Sequence, residues 1–237
     1  AEIYDPATNT WLVAGALAAP RASSASVSLG DGRVLIAGGE SSIGKSRSAE
    51  IFDPALGVWS PTAAMSVART HHTITLLPDG SALAIGGADS AGVPLVGAEI
   101  FIPAAGTWSA VGSLSTGRQD HSAALLPSGR VLVTGGTTAS GPTSQVERFD
   151  PSARTFAAAA ALDAPRALHT STRLPDGRVL VAGGDTVLGA TSGTLAYDEI
   201  ANTWAQAPSL AAARSHHTAT LFVAPDARSP RSIAAPA

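Results

Sequence analysis

A repeat of 48 or 49 residues constrains the fold of this chain more than any other feature. A period of this length indicates small supersecondary units that stack on one another and bury a continuous core between them. The period is kept by a glycine pair, an aromatic residue and an arginine. The glycine pairs are Gly38-Gly39, Gly86-Gly87, Gly135-Gly136 and Gly183-Gly184. The aromatic residues are Trp11, Trp59, Trp108, Phe156 and Trp204, and the arginines are Arg21, Arg69, Arg118, Arg166 and Arg214.

Each repeat predicts four short strands. The first alternates apolar and polar residues, as in HTITLL (72–77), and the second is nearly continuous in apolar residues, as in RVLVAGG (178–184). The third ends in an aromatic-Asp-Pro turn and the fourth carries the repeated tryptophan. We expect a strand even at FAAAAAL (156–162), because the repeat places it at the fourth strand despite the helix propensity of alanine. Repeated four-stranded antiparallel units are typical of the blades of a β-propeller.

The repeat resembles the kelch family, and within it the bacterial and galactose-oxidase-like propellers. The resemblance rests on the glycine pair that ends the second strand, the aromatic-Asp-Pro turn and a Trp six residues after the Asp, as in Asp53 and Trp59. It covers about residues 1–222. It implies an all-β propeller of four-stranded blades, and at family level export to a cell envelope or surface. It implies little about activity, because propellers of this kind serve unrelated tasks.

The repeat predicts one propeller domain over 1–223, with complete blades at 21–63, 69–112, 118–161 and 166–208. Half-blades remain at 1–14, which would hold a third and fourth strand, and at 214–223, which would hold a first strand. Residues 224–237 are expected to be a disordered tail. Either the two half-blades close a ring of five, or the chain is part of a six- or seven-bladed ring in the same polypeptide. We favour the second arrangement, because prolines in the tail leave no good second strand.

Composition and charge exclude several classes of function. The formal net charge is −3, which gives no electrostatic footprint for nucleic acid. No apolar run reaches the ~18 residues of a membrane span. The chain has no cysteine, so the cysteine-tyrosine copper chemistry of galactose-oxidase-like enzymes is excluded for this segment. We expect no cofactor and no metal, because the adjacent rings of His71-His72 and of His216-His217 would point to opposite faces of a strand.

One face of the blades is predicted to carry the variable segments. The loops that follow the glycine pairs share little sequence although the frame around them repeats, and variable loops on a rigid frame are where binding usually resides. They are equally compatible with unconstrained surface connections. They contain three acidic candidates for a ligand contact, Glu40, Asp89 and Asp185. The loops are ESSIGKSRS (40–48), ADSAGVPLVG (88–97), TTASGPTSQ (137–145) and DTVLGATSG (185–193).

The arginine of each repeat is followed three residues later by Ser24 in the first case and by histidine in the others, His72, His121, His169 and His217. These residues could ring the central channel and hold an anion or a metal. Alternatively they are structural, with the histidines bonded to backbone and Arg21, Arg69 and Arg118 paired with Glu50, Glu99 and Glu147. Repetition in every blade favours the structural interpretation. Leu195 replaces the glutamate of the fourth blade, so we expect Arg166 to be unpaired and to be the best single ligand contact.

The resulting functional expectation is a non-catalytic propeller that binds a protein or glycan through its loop face. The loops lack aromatic residues, which argues against one tight hot spot. The alternative is a sugar-active enzyme, similar to mutarotases or hydrolases, with its site at the mouth of the central channel. Carboxylates and histidines converging at that mouth, with displaced pKa values, would favour the enzyme.

Overall fold

The computed structural model of the protein describes residues 1–222, and within that range every regular element is a β-strand. An N-terminal hairpin pairs β1 (Glu2–Asp5) with β2 (Thr10–Val13). Four antiparallel sheets of four strands follow, which we number blades 1 to 4. In each blade the four main strands are hydrogen-bonded in the order in which they occur along the chain. The all-β fold with four-stranded blades predicted from the repeat is confirmed.

The strands fall within the four predicted blade ranges. Blade 1 contains β3 (Ala25–Ser28), β4 (Val34–Ala37), the small hairpin β5 (Glu40–Ser41) and β6 (Gly44–Lys45), β7 (Ala49–Asp53) and β8 (Val58–Thr62). Blade 2 contains β9 (Thr73–Leu76), β10 (Ala82–Ile85), β11 (Ala98–Ile102) and β12 (Thr107–Ala110). Blade 3 contains β13 (Ser122–Leu125), β14 (Val131–Thr134), β15 (Thr137–Thr138), β16 (Gly141–Pro142), β17 (Val146–Asp150) and β18 (Thr155–Ala159). Blade 4 contains β19 (Thr170–Arg173), β20 (Val179–Ala182), β21 (Asp185–Thr186), β22 (Gly189–Ala190), β23 (Thr194–Asp198) and β24 (Thr203–Ala207).

The alanine-rich run at 156–162 forms most of the strand β18, as predicted. The half-blade at the other end of the chain differs from the prediction. Residues 214–222 join no ladder, although Arg214 and His216 keep backbone hydrogen bonds to blade 4. This segment forms no regular strand because no other strand within residues 1–222 pairs with it. The predicted tail at 224–237 lies outside the described residues.

The core lies between neighbouring blades. Leu83 and Ile85 of blade 2 pack with Val131, Val133 and Phe149 of blade 3 in one buried cluster. Equivalent clusters join blade 1 to blade 2 and blade 3 to blade 4. Because each blade buries its apolar faces against the next one, the sheets stack as the repeat predicts.

The repeated aromatic residues pair within each blade, and two of the tryptophans also bond to the preceding blade. The third-strand ring lies opposite the fourth-strand ring in the ladder, as Phe101 does with Trp108, at a centroid distance of 5.1 Å. The indole N–H of Trp108 then donates to the carbonyl of Ala63 in the preceding blade at 2.9 Å. Trp204 donates to Ala160 in the same way at 2.7 Å. In the N-terminal hairpin, by contrast, Trp11 is 66% exposed.

The glycine pair is required by the close approach of the next blade. Gly86 has φ +59°, and a Cβ placed on it would lie 2.6 Å from the carbonyl oxygen of Arg118 and 3.0 Å from Cε1 of His121. Its neighbour Gly87 donates its N–H to the same Arg118 carbonyl at 2.9 Å. The absence of side chains on the glycine pair therefore lets the arginine and histidine of the following blade pack against it.

Candidate functional site at the channel mouth

Five residues with left-handed backbone lie near the axis about which the blades stack, in an open series that backbone hydrogen bonds link from one repeat to the next. We call them the mouth ring. Each immediately precedes the repeated histidine, or Ser24 in blade 1, and their φ angles lie between 52° and 57°. From the second member onward, each donates its N–H to the carbonyl of the preceding member at 2.9–3.1 Å. The members are Ser23, His71, Asp120, Leu168 and His216.

The last four side chains of the mouth ring line a shallow open depression of about 310 Å³, together with the histidines that follow them. Within it, Nδ1 of His71 lies 2.8 Å from Oδ1 of Asp120. The carboxylate orients the imidazole and leaves Nε2 of His71 facing no hydrogen-bond partner within residues 1–222. On the far side of the depression, Ser215 Oγ lies 3.2 Å from Nδ1 of His216.

The contact between His71 and Asp120 was not anticipated from the sequence. The two residues are 49 positions apart, and only the stacking of blade 2 on blade 3 brings them together. A signal was nevertheless present. The position before the repeated histidine holds a different residue type in most blades, whereas the positions around it recur.

Three of the histidines beneath the mouth ring are neutral at pH 7. Burial lowers the pKa of His72, His121 and His169 to about 3, because the charged imidazolium would lose its hydration, and the nearby arginines lower it further. These three histidines therefore add no positive charge to the ring of arginines and histidines that is one of the two interpretations of the repeat. Within residues 1–222 no group of three or more His, Asp or Glu side chains is arranged to hold a metal ion.

Three of the four repeated histidines bond to hydroxyl groups rather than to the expected backbone groups. Nε2 of His121 lies 2.9 Å from Thr73 Oγ1, and Nε2 of His169 lies 2.8 Å from Thr134 Oγ1. His217 contacts the hydroxyl of Thr170 at 3.3 Å. In all three cases the hydroxyl comes from the preceding blade, so the histidine ties two blades together.

The repeated arginines lie inside the blades. Arg69 is 1% exposed and its Nη2 lies 2.6 Å from Glu99 Oε1, while its Nη1 donates to the carbonyls of Gly86 and Gly97, which flank the loop of blade 2. Arg21 and Arg118 make the equivalent pairs with Glu50 and Glu147 at 2.5 and 2.8 Å. Each of these arginines therefore fixes the base of its loop, and its side chain is at most 3% exposed. Arg214 differs, because it is exposed.

The expectation that Arg166 is unpaired is wrong. Its guanidinium is buried, and its Nη2 donates to Asp163 Oδ1 at 2.7 Å. Asp163 supplies the carboxylate that Leu195 cannot. The structure therefore gives Arg166 the same fold-stabilising surroundings as its counterparts, and it does not reach the mouth depression.

The three acidic loop candidates do not converge. Asp89 accepts the N–H groups of Ala91 and Val93 at 2.9 Å and so closes its own loop. Glu40 lies opposite Lys45 across the β5–β6 hairpin. Asp185 exchanges backbone hydrogen bonds with Ala167 and anchors the β21–β22 hairpin. No hydrogen bond or ion pair joins these three acids in the described part of the chain.

The loop hairpins present aliphatic side chains that the sequence analysis passed over. Ile43 is 92% exposed and Leu188 is 95% exposed, with Val187 beside it. Ile43 and Leu188 occupy the same position, directly before the hairpin glycine. The turn is fixed locally, since Thr186 Oγ1 accepts the N–H of Leu188 at 3.1 Å. We call the surface formed by these hairpins and the loop 88–97 the loop face.

The opposite face contains grooves larger than the mouth depression. They have volumes of about 420 and 490 Å³ and lie among the Asp-Gly hairpins and Asp-Pro turns. Their charged side chains are largely paired with one another, as Arg130 is with Asp150 at 3.1 Å. The mouth depression is smaller but collects histidine and carboxylate side chains with free polar atoms.

The family model for the kelch motif matches residues 21–66, which contain all of blade 1. Blade 1 is a kelch repeat. Blades 2 to 4 carry the same glycine and aromatic pairs as the matched segment. No curated protein matches the chain. Within residues 1–222 the chain includes no helix that is long and apolar enough to cross a membrane.

Proposed function

We propose that this protein is an interaction scaffold that binds a protein or glycan partner through its loop face. The observation that carries the proposal is the exposure of Ile43 and Leu188 at equivalent hairpin tips. Scattered apolar residues on a surface are ordinary, but these two lie at equivalent tips of hairpins whose turns are closed by local hydrogen bonds. Rigid presentation lowers the entropy cost of binding.

The blades support this role because their repeated interactions hold both ends of each loop in place. The repeated arginines bond the carbonyls that flank each loop, and the glycine pairs seat the next blade against it. Side-chain variation at the tips is thereby separated from the interactions that stabilise the fold. Such an arrangement is how rigid scaffolds carry binding loops.

The experiment is a binding screen on a glycan array and a protein microarray with the wild-type chain, the double variant Ile43→Ser/Leu188→Ser and the control Leu56→Ser. Leu56 is 73% exposed on the Asp-Pro turn of blade 1, at the opposite face. A partner of the loop face should bind the wild type and the control equally and the double variant about tenfold more weakly. Equal binding of all three proteins would reject the loop face as the interaction surface.

A second candidate function, proton transfer on a sugar at the channel mouth, is supported by the contact of His71 with Asp120. An imidazole oriented by a carboxylate can accept a proton from a hydroxyl group through its other nitrogen. Interconversion of the anomers of reducing monosaccharides, followed by exchange NMR, tests this function. Acceleration above buffer should be lost in His71→Gln and kept in Ile43→Ser. No acceleration by the wild type would exclude it.

A further inference from the structure

His72 breaks the hydrogen-bond pattern of the buried histidines. It is 6% exposed, and neither Nδ1 nor Nε2 has a hydrogen-bond partner within residues 1–222. In His121, His169 and His217 the Nδ1 atom also lacks a partner, but Nε2 is bonded to a threonine hydroxyl of the preceding blade, so His72 differs at Nε2. A buried polar atom without a hydrogen-bond partner destabilises the fold. Such an atom in a native fold calls for an explanation, of which an unobserved bound group is one.

The cause lies in blade 1, which precedes His72. The positions that correspond to Thr73 and Thr134 are Ala25 and Ala37, and these two alanines are paired directly across the β3–β4 ladder. Both positions that supply a hydroxyl in other blades therefore present only a methyl group. The preceding position is also smaller in blade 1, since Ser24 stands where the other blades have histidine. His72 thus has an unused polar edge beside small side chains.

His72 also lines the mouth depression, where the other groups limit the chemistry of a ligand. The carboxylate of Asp120 disfavours an anion. His72, His121 and His169 beneath the ring are uncharged, and the described residues offer no set of metal ligands. The side chains of His71 and His216 can exchange hydrogen bonds with hydroxyl groups, and Leu168 offers an apolar surface. A volume of about 310 Å³ is at the lower end of small-molecule sites.

We propose that the channel mouth binds a small neutral polyhydroxylated molecule of monosaccharide size, one hydroxyl of which bonds to His72 beside Ala25 and Ala37. This inference is separate from the scaffold role of the loop face. It also requires no proton transfer at His71, because binding alone satisfies the unpartnered nitrogen. Blade 1 has alanines at the positions where threonines of other blades bond to a histidine. His72 therefore receives no hydroxyl group from the protein and can bond to a hydroxyl group of the ligand.

The test is the variant Ala25→Thr. A threonine at residue 25 would offer His72 the hydroxyl that Thr73 offers His121, and so would compete with the ligand for Nε2. The probes are a panel of neutral monosaccharides and myo-inositol, detected by saturation-transfer NMR and quantified by calorimetry. We expect the wild type to bind at least one probe and Ala25→Thr to bind it about tenfold more weakly, with a raised melting temperature.

The matched control is Ser122→Thr, which occupies the same position in blade 3. There His169 is already bonded to Thr134, so this variant should keep both the affinity and the melting temperature of the wild type. If Ala25→Thr does not fold, Ala37→Ser supplies a hydroxyl from the opposite strand and should also weaken binding. The absence of binding to every probe, or full binding by Ala25→Thr, would show that His72 holds at most a water molecule.

Two further variants separate this inference from the proposed functions. The loop-face variant Ile43→Ser/Leu188→Ser should retain the affinity for the polyol. Loss of polyol binding in that variant would place the ligand on the loop face and overturn the mouth site. His71→Gln tests proton transfer by its effect on anomer exchange. That function can be absent while the polyol still binds at His72.

Discussion

The carboxylate of Asp163 lies 2.7 Å from the guanidinium of Arg166, three residues later in the chain. In blades 1 to 3 the equivalent arginine pairs with a glutamate of the third strand. That glutamate also accepts the backbone N–H of one residue in the preceding loop: Ala18, Ser66 or Ser115. Asp163 occupies this last position in blade 4. The negative charge has therefore moved from the strand to the loop residue that it contacts in the other blades.

This relationship predicts strong coupling between residues 163 and 195. Asp163→Ser should destabilise the fold by about 2 kcal/mol, since it leaves the buried guanidinium of Arg166 without a carboxylate, although the partial exposure of Asp163 moderates the loss. Adding Leu195→Glu recreates the Ser-Glu arrangement of blades 2 and 3 and should recover at least about half of that loss. A double-mutant cycle in urea measures the coupling. Purely additive losses would contradict it.

The buried histidines predict a dependence of stability on pH. His72, His121 and His169 have a pKa of about 3 when folded against 6.5 in the unfolded chain. Stability is therefore complete above pH 6.5 and falls as the pH decreases toward 3, because only the unfolded chain takes up these protons. The slope reaches up to about 1.4 kcal/mol per pH unit for each histidine.

Urea unfolding at pH 7, 6 and 5 measures this slope. The variant His169→Gln should be less stable at pH 7 but should lose less stability per pH unit than the wild type, because one fewer proton is taken up. A free energy of unfolding that does not change between pH 7 and 5 would show that these histidines are not held neutral.

The glycine pair predicts that the space around a glycine, and not only its backbone angle, determines the cost of replacing it. Gly86 and Gly57 have similar φ angles, +59° and +68°, but a Cβ on Gly57 would meet nothing within 4 Å. Gly57→Ala should therefore cost about 1–2 kcal/mol from backbone strain alone. Gly86→Ala should cost about 1–3 kcal/mol more, because its Cβ would overlap Arg118 of the next blade. Equal melting temperatures for the two variants would contradict the contact.

The tryptophan contacts between blades predict a difference between two otherwise matched substitutions. Trp204→Phe removes the 2.7 Å hydrogen bond to the carbonyl of Ala160, whereas the indole N–H of Trp59 has no partner within residues 1–222. Both substitutions lose similar ring area, so Trp204→Phe should be the more destabilising by about 1 kcal/mol. Thermal unfolding of the two variants checks this. A larger loss from Trp59→Phe would reject the role of the bond.

The positions that recur in every repeat could be predicted from the sequence. Phe149 and Phe156 pair in blade 3 as the tyrosine, phenylalanine and tryptophan residues do elsewhere, because the repeat fixes both the strand and the register. The contact of Asp163 with Arg166 could not be predicted in this way. In blade 4 the carboxylate comes from a loop residue and not from the third strand, and only the folded loop shows that the two positions are adjacent.

The candidate site was harder to predict for a related reason. His71 and Asp120 lie in different repeats, and their approach depends on how closely successive blades stack at the axis. The repeat identifies the position of each residue but not the distance between blades. For the same reason the unpartnered nitrogens of His72 become visible only when Ala25 and Ala37 are seen to face each other in the preceding blade.

In the mouth ring the backbone determines the geometry of the channel entrance, and the side chains determine its chemistry. Its members are held by bonds between main-chain atoms, so the polypeptide backbone keeps its path whether the residue is a serine, a leucine, an aspartate or a histidine. In the proposed binding site, substitution at these five points would alter which molecules bind while leaving the supporting sheets intact. A chain of this design offers an engineer a set of independently replaceable groups arranged around one opening.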